Sequence, residues 1–296
     1  FDVYRKKTDP QCLDLLTNPE PVFLDEDTGD VLVNPPPAKY GAFQVTVRDD
    51  HGVMFKYTHP TQPPPEGEYS RRVWIGLRYD HKEGGKRVWT RLLVHVYRPP
   101  VVMTHGLWSD QSAFRKMEKD FVEVSGNYPR ELVHRVDYSG LNAASFSENR
   151  EEVEFGVTSV LEQAVDAGYA VGKVDLVAHS MGGILSRLYY EGGNYHRDVR
   201  RVVTCNTPHG GSQMGNWLLD EVWDPAGLLC SALEPLAGSC YEGAVCDLNV
   251  YSSGINTLLN GLGSHPSDVE VHALSTVSAG LPPLAQGAIN SFMAAT

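Results

Sequence analysis

The alternation of hydrophobic and polar residues changes character at Arg98-Pro99-Pro100. Before that point the chain carries short runs of alternating, β-branched and aromatic residues at Phe43–Val47, Val53–Tyr57, Val73–Tyr79 and Val88–Tyr97. Turn chemistry breaks them at Thr28-Gly29-Asp30, Asp49-Asp50-His51-Gly52 and Glu83-Gly84-Gly85. Several short strands with such breaks, and no helical period, predict a small antiparallel, Ig-like β-sandwich over residues 1–98. Proline clusters at 35–37 and 63–65 fit loops or sheet edges, where a missing N–H does no harm.

After residue 98 apolar runs alternate with amphipathic stretches. Val101–Thr104, Leu132–Tyr138, Val174–His179, Val199–Cys205 and Val269–Ser275 read as strands. Ser112–Val124, Glu148–Ala167, Met181–Glu191 and Pro282–Ala294 read as helices. Such alternation predicts an α/β domain over 99–296, a mostly parallel sheet with helices on both faces. Residues 210–263 have little periodicity and much Gly, Ser, Trp and Leu, and read as an insertion or cap over a site.

Composition narrows the function classes. A formal net charge of -12 argues against nucleic acid or an anionic membrane surface as partner. No apolar run approaches the roughly 18 residues a spanning helix needs. No signal peptide is visible, and a chain beginning at Phe1 reads as a mature or trimmed fragment. Of the five cysteines, Cys205 ends a strand and reads as a buried thiol. Cys230, Cys240 and Cys246 cluster, with Cys12 far away; Cys240–Cys246 or Cys230–Cys240 would be the shortest disulfide loops. Such bonds would place the protein outside the cell or on its surface.

The segment Val174–Gly183, V-D-L-V-A-H-S-M-G-G, holds the candidate chemistry. An apolar strand runs into a turn with a serine at its tip and a helix beyond. A serine hydroxyl is a poor nucleophile unless it is exposed, rigid and served by a base; a tight strand-to-helix turn supplies the first two. The turn needs small residues two before and two after Ser180, here Ala178 and Gly182. The alternative is an unreactive serine capping a helix. Upstream, a strand ends in His105-Gly106-Leu107-Trp108; downstream, Asn206-Thr207-Pro208-His209-Gly210-Gly211-Ser212 follows the next strand.

In order and spacing these three segments resemble the α/β-hydrolase lipases and esterases, notably small secreted bacterial lipases and GPI inositol-deacylase-like relatives, over about residues 99–280. Val136-Asp137-Tyr138-Ser139-Gly140-Leu141-Asn142 resembles the loop after the second strand of those enzymes. The resemblance implies hydrolysis of carboxylic esters through an acyl-enzyme, with Ser180 as nucleophile and the backbone N–H groups of Leu107 and Met181 as oxyanion hole. It implies a hydrophobic acyl ester or lipid as partner, no cofactor and no metal. His105 would be structural, His209 loop-shaping, and His179 packed beneath the turn. Trp108 and Trp217 are candidates for an acyl pocket, with ordinary buried tryptophans as the alternative. Asp25-Glu26-Asp27-Thr28-Gly29-Asp30 has a calcium-loop flavour but the wrong spacing, and reads as a solvated hairpin turn.

The pattern breaks downstream. In this fold the acid and then the histidine follow the serine along the chain. No Asp, Glu or His lies beyond residue 272. Asp247 or Asp268 with His265 or His272 are the partners that obey or nearly obey the order. The simpler expectation is that the acid and histidine lie beyond Thr296. The rival is a catalytically incomplete hydrolase fold serving as a surface binding or adhesion module. Thioesterase and polyester depolymerase chemistry remain open on the same fold.

Overall fold

A computed structural model of the chain describes residues 16–49, 52–58, 60–62, 64–65, 68, 70–81, 85–124, 128–142, 144–213, 243–263 and 265–275. The chain divides into two compact units, one to Arg98 with 125–127, the other from Pro99 to Val124 and from Tyr128 on.

The first unit is built from antiparallel strands. β1 (Leu16–Leu24), β4 (Ser70–His81) and β5 (Gly85–Tyr97) form one sheet in the order β1-β4-β5. β2 (Ala42–Asp49) and β3 (Gly52–Thr58) form a separate hairpin. Phe23, Val73 and Ile75 of the sheet and Phe43 and Tyr57 of the hairpin share one apolar cluster, with Phe23 stacked on Phe43 at 4.5 Å. β1 is absent from the sequence-based expectation because Pro19 and Pro21 interrupt it. It tolerates them as an edge strand whose register is irregular between Thr17 and Glu20. The acidic stretch after β1 is a turn, its Asp25 carboxylate accepting the N–H groups of Asp27 and Thr28 at 3.0 and 2.9 Å. No group of residues suited to a metal ion occurs among the described residues.

The second unit is a five-stranded parallel sheet. β6 (Val101–Thr104), β7 (Val133–Val136), β8 (Val174–His179), β9 (Val199–Cys205) and β10 (Glu270–Leu274) lie in the order β10-β9-β8-β6-β7. The chain steps from β6 to β7 on one side and then crosses to β8 on the other. That reversal opens a crevice between the C-terminal ends of β6 and β8, where ligands of open α/β sheets bind.

Burial on both faces explains the near-continuous apolar strands. Val102, Val174, Leu176, Val199 and Val202 face one core, against α2 (Phe146–Asp166) and α3 (Met181–Tyr190). Val101, Met103 and Val133 face the other, against Phe114 and Met117. α2 begins earlier than expected, because Ser145 and Glu148 make a reciprocal capping box. Its Phe146, Asn149, Val153, Val157, Val160 and Ala164 form the buried stripe. The helix expected over Ser112–Val124 is broken: a 3-10 turn (Gln111–Phe114) capped by Asp110, then α1 (Arg115–Lys119), then a wider π turn (Asp120–Val124). Within it Glu118 is buried and paired with Arg130 and Arg135.

The expected cap segment differs from expectation where it is described. α4 (Gly243–Leu248) and the turn Gly254–Leu259 bury Ala244, Leu248, Ile255 and Leu259 in the same core as α2 and α3. Their apolar side chains build the core here rather than a cover. Residues 214–242, including Trp217, and the expected helix Pro282–Ala294 lie outside the described residues. Among the described residues no disulfide is formed and Cys205 is a free thiol; Cys12, Cys230 and Cys240 lie outside them. No described helix is long and apolar enough to cross a membrane.

Candidate active site

β8 delivers Ser180 to the C-terminal edge of the sheet beside β6. Ser180 has φ 52° and ψ −127°, a backbone region that costs a non-glycine residue on the order of 1–3 kcal/mol. Its surroundings determine that conformation from several sides. Its N–H donates to Cys205 O at 2.9 Å, and its own carbonyl accepts Gly183 N–H at 3.0 Å. A Cβ on Gly106 would lie 2.9 Å from Ser180 Cβ, and one on Gly182 would collide with the carbonyls of Thr104 and His105. The small residues therefore let the end of β6 and the first turn of α3 close around the serine.

This close approach sets Gly106, the residue before Leu107, against Ser180. Among the described residues neither Leu107 N–H nor Met181 N–H is taken by a hydrogen bond. Met181 is the first residue of α3, where N–H groups have no intrahelical partner and the helix dipole favours negative charge. The Ser180 hydroxyl likewise makes no hydrogen bond to a described residue.

The loop after β6 is held from beneath. His105 is fully buried and stacked on Tyr138 at 3.9 Å between ring centroids. Its Nδ1–H donates to Gly106 O at 2.9 Å, its Nε2 accepts Tyr138 N–H at 3.3 Å, and Tyr138 OH donates to His105 O. That pattern requires a neutral ring. Burial holds the His105 pKa below its usual value, against the opposing pull of the Gly106 carbonyl and the Asp137 carboxylate. Its one lone pair is already used, so it is a structural residue. Trp108 follows at φ 57°, and its buried indole N–H has no partner among the described residues.

The other sequence-derived candidates lie elsewhere. Asp268 precedes β10, at the opposite edge of the sheet, paired with Lys173 at 2.8 Å. His272 is exposed within β10, on the rung of Val203, with Nε2 2.9 Å from Glu270 Oε1. His265 sits near the far end of α3, bonded to Val269 O at 2.8 Å and 3.5 Å from Glu191. Asp247, on α4, accepts Phe146 N–H at 2.7 Å at the start of α2, and burial raises its pKa. His209 lies 3.4 Å from Thr204 Oγ1, and His196 pairs with exposed Glu154. Every histidine after Ser180 in the sequence is described, and each has a partner other than Ser180. His179 is exposed rather than packed under the turn, because it ends β8 where the sheet meets solvent. Local spacing gave no signal for Asn142, whose amide holds the 107–109 backbone from 33 residues away or more.

A parallel sheet with helices on both faces and a serine at the turn after β8 defines the α/β-hydrolase fold. Comparison with known proteins bears on the same region. Residues 133–222, from β7 past β9, match the family described as the PGAP1-like alpha/beta domain. Lipase BlEst2 of Bacillus licheniformis in its mature form is similar at 25% identity, over 67% of this chain and 74% of that one, with a TM-score of 0.49. Its propeptide form is similar at 23% identity, over 66% of this chain and 40% of that one, with a TM-score of 0.50. Phospholipase PlaB of Legionella pneumophila is similar at 12% identity, over 61% of this chain and 39% of that one, with a TM-score of 0.46. The likeness to the propeptide form speaks for a shared fold and nothing finer. No curated protein matches the chain.

Proposed function

We propose that the protein is a serine hydrolase of carboxylic esters working through an acyl-enzyme. The observation that carries this reading is the elbow: Ser180 in a left-handed turn at a helix N-terminus, with Gly106 against it and, among the described residues, no acceptor for the N–H of Leu107 or of Met181. Ser180 Oγ attacks the ester carbonyl and its proton passes to a base. The carbonyl oxygen becomes an oxyanion held by Leu107 N–H and Met181 N–H, and the alcohol leaves after receiving the proton. Water then attacks the acyl-serine, and the same groups release the acid. Each oxyanion donor of this kind contributes on the order of 10²- to 10³-fold in kcat. No described histidine is hydrogen-bonded to Ser180, so the base and its carboxylate partner are left unassigned.

The acyl group is proposed to be hydrophobic. The support is compositional: Trp217, Leu218, Leu219, Val222, Trp223, Leu228 and Leu229 follow the 206–212 loop, and Trp108 flanks the oxyanion loop. Secretion or a cell-surface location belongs to the same proposal and rests on the cysteine cluster. An increase in alkylatable thiols on reduction would support it, and no increase would reject it. Hydrolysis of p-nitrophenyl esters of rising acyl length by the full-length protein tests the chemistry. Turnover lost in Ser180→Ala supports it, and turnover unchanged in that variant contradicts it. That no described histidine is bonded to Ser180 favours one second reading, a fold that binds acyl esters without turning them over. Binding of a non-hydrolysable ether analogue without ester turnover would be its signature.

A further inference from the structure

One side chain makes two hydrogen bonds to the loop that offers Leu107 N–H. Asn142 Oδ1 accepts Trp108 N–H at 3.0 Å, and Asn142 Nδ2 donates to Ser109 O at 2.8 Å. An N–H must meet the amide oxygen and a carbonyl must meet the amide nitrogen, so chemistry fixes which way the amide faces. Asn142 is largely buried, and it ends the 3-10 turn Ser139–Leu141 that follows β7. Tyr138, just ahead of that turn, locks His105 at the loop's other end. The segment 138–142 therefore clasps residues 105–109 from both sides. Between the two grips stands Trp108 in a left-handed conformation that a bulky side chain resists.

We infer that Asn142 is a positioning residue for the oxyanion hole: it ties down the N–H of Trp108 and so leaves the preceding Leu107 N–H facing Ser180. Without the amide, no hydrogen bond to a described residue holds the Trp108 N–H, and relaxation of its positive φ would rotate the 107–108 peptide away from the serine. An oxyanion donor acts only if it is already aimed when charge develops, so a small rotation weakens the transition state and leaves ester binding nearly intact.

The inference rests on the ester-hydrolase reading, and the experiment separates the two. kcat and KM for p-nitrophenyl butyrate, and inhibition by a trifluoromethyl ketone that forms a serine hemiketal, are measured on full-length wild type, Asn142→Ala, Asn142→Asp and Asn149→Ala. Asn142→Asp keeps the volume and the acceptor but sets an oxygen against Ser109 O. Asn149 donates to Ala144 O and Ser145 O at 2.9 and 3.2 Å and is the control for a buried amide lost elsewhere. Both Asn142 variants should lose about 10- to 100-fold in kcat with KM within about threefold, and the ketone's inhibition constant should rise by the same factor. Asn149→Ala should lower the melting temperature without that split. Wild-type kcat in Asn142→Ala, or an equal kcat loss in Asn149→Ala, overturns the positioning role alone. A wild-type protein inert to ester and ketone overturns the hydrolase reading and this role with it.

Discussion

Two stretches of the α/β unit treat their polar groups in opposite ways. At the elbow, the N–H groups of Leu107 and Met181 and the Ser180 hydroxyl have no partner among the described residues, although the backbone around them is fixed. In the downstream stretch, Asp247 caps α2, His265 bonds Val269 O, Asp268 pairs with Lys173 and His272 meets Glu270. A rigid backbone with unsatisfied groups is prepared for a ligand, whereas a satisfied side chain is spent on the fold. The contrast separates candidate chemistry from structure better than residue type does, since both stretches hold polar and titratable residues.

The largest effect expected from breaking that contrast is at Gly182. A methyl there meets the backbone carbonyls of Thr104 and His105, which have no free rotamer to retreat into. Gly182→Ala should destabilise the unit by about 2–3 kcal/mol or displace the elbow, with ester turnover reduced at least about 100-fold. Thermal unfolding and kcat/KM together read this out; unchanged values would mean the close approach is not required.

Acidification tests the buried groups next. Burial lowers the pKa of His105, His134 and His209 in the fold. The unfolded chain takes up these protons near pH 6.5 while the folded unit does not, so stability is full above about 6.5 and is lost as the pH falls through the lowered folded values. The melting temperature should drop between pH 7.5 and 5.5; a rise across that window would contradict neutral His105 holding the loop. Asp247 has the opposite sign. Its raised pKa favours the neutral form in the fold, so its contribution is present at acid pH and lost as the pH rises through the raised value. Asp247→Asn keeps an oxygen for Phe146 N–H and should raise the melting temperature at pH 7.5 by about 1–2 °C, half exposure screening the rest. It should change turnover less than about twofold, whereas a triad acid would cost on the order of 10⁴. Smallest of all, Asp268→Asn and His272→Gln should leave ester hydrolysis within about twofold of wild type in a p-nitrophenyl ester assay.

What the sequence conveyed and what it hid follow the same division. The doubly buried strands β6, β8 and β9 were legible as apolar runs, and the elbow as small residues at fixed offsets around Ser180. Local spacing concealed β1, because Pro19 and Pro21 argue against a strand unless it lies at an edge. It overstated the helix at Ser112–Val124, where Asp110 starts a 3-10 turn and burial of Glu118 against two arginines competes with a regular helix. It read 243–259 as a cover, since Ala244, Leu248, Ile255 and Leu259 become core only once α2 and α3 are in place. The clasp of Asn142 on Trp108 and Ser109, and the commitment of Asp247 101 residues from Phe146, are long-range contacts that no local pattern records.

The central claim is that Ser180 is a nucleophile facing a preformed oxyanion hole. Incubating the full-length protein with a fluorophosphonate and mapping the adduct by peptide mass spectrometry tests it most directly. The account predicts one covalent adduct on the peptide bearing Ser180, absent in Ser180→Ala and slowed in Asn142→Ala. Full-length protein that carries no adduct on Ser180 would contradict it.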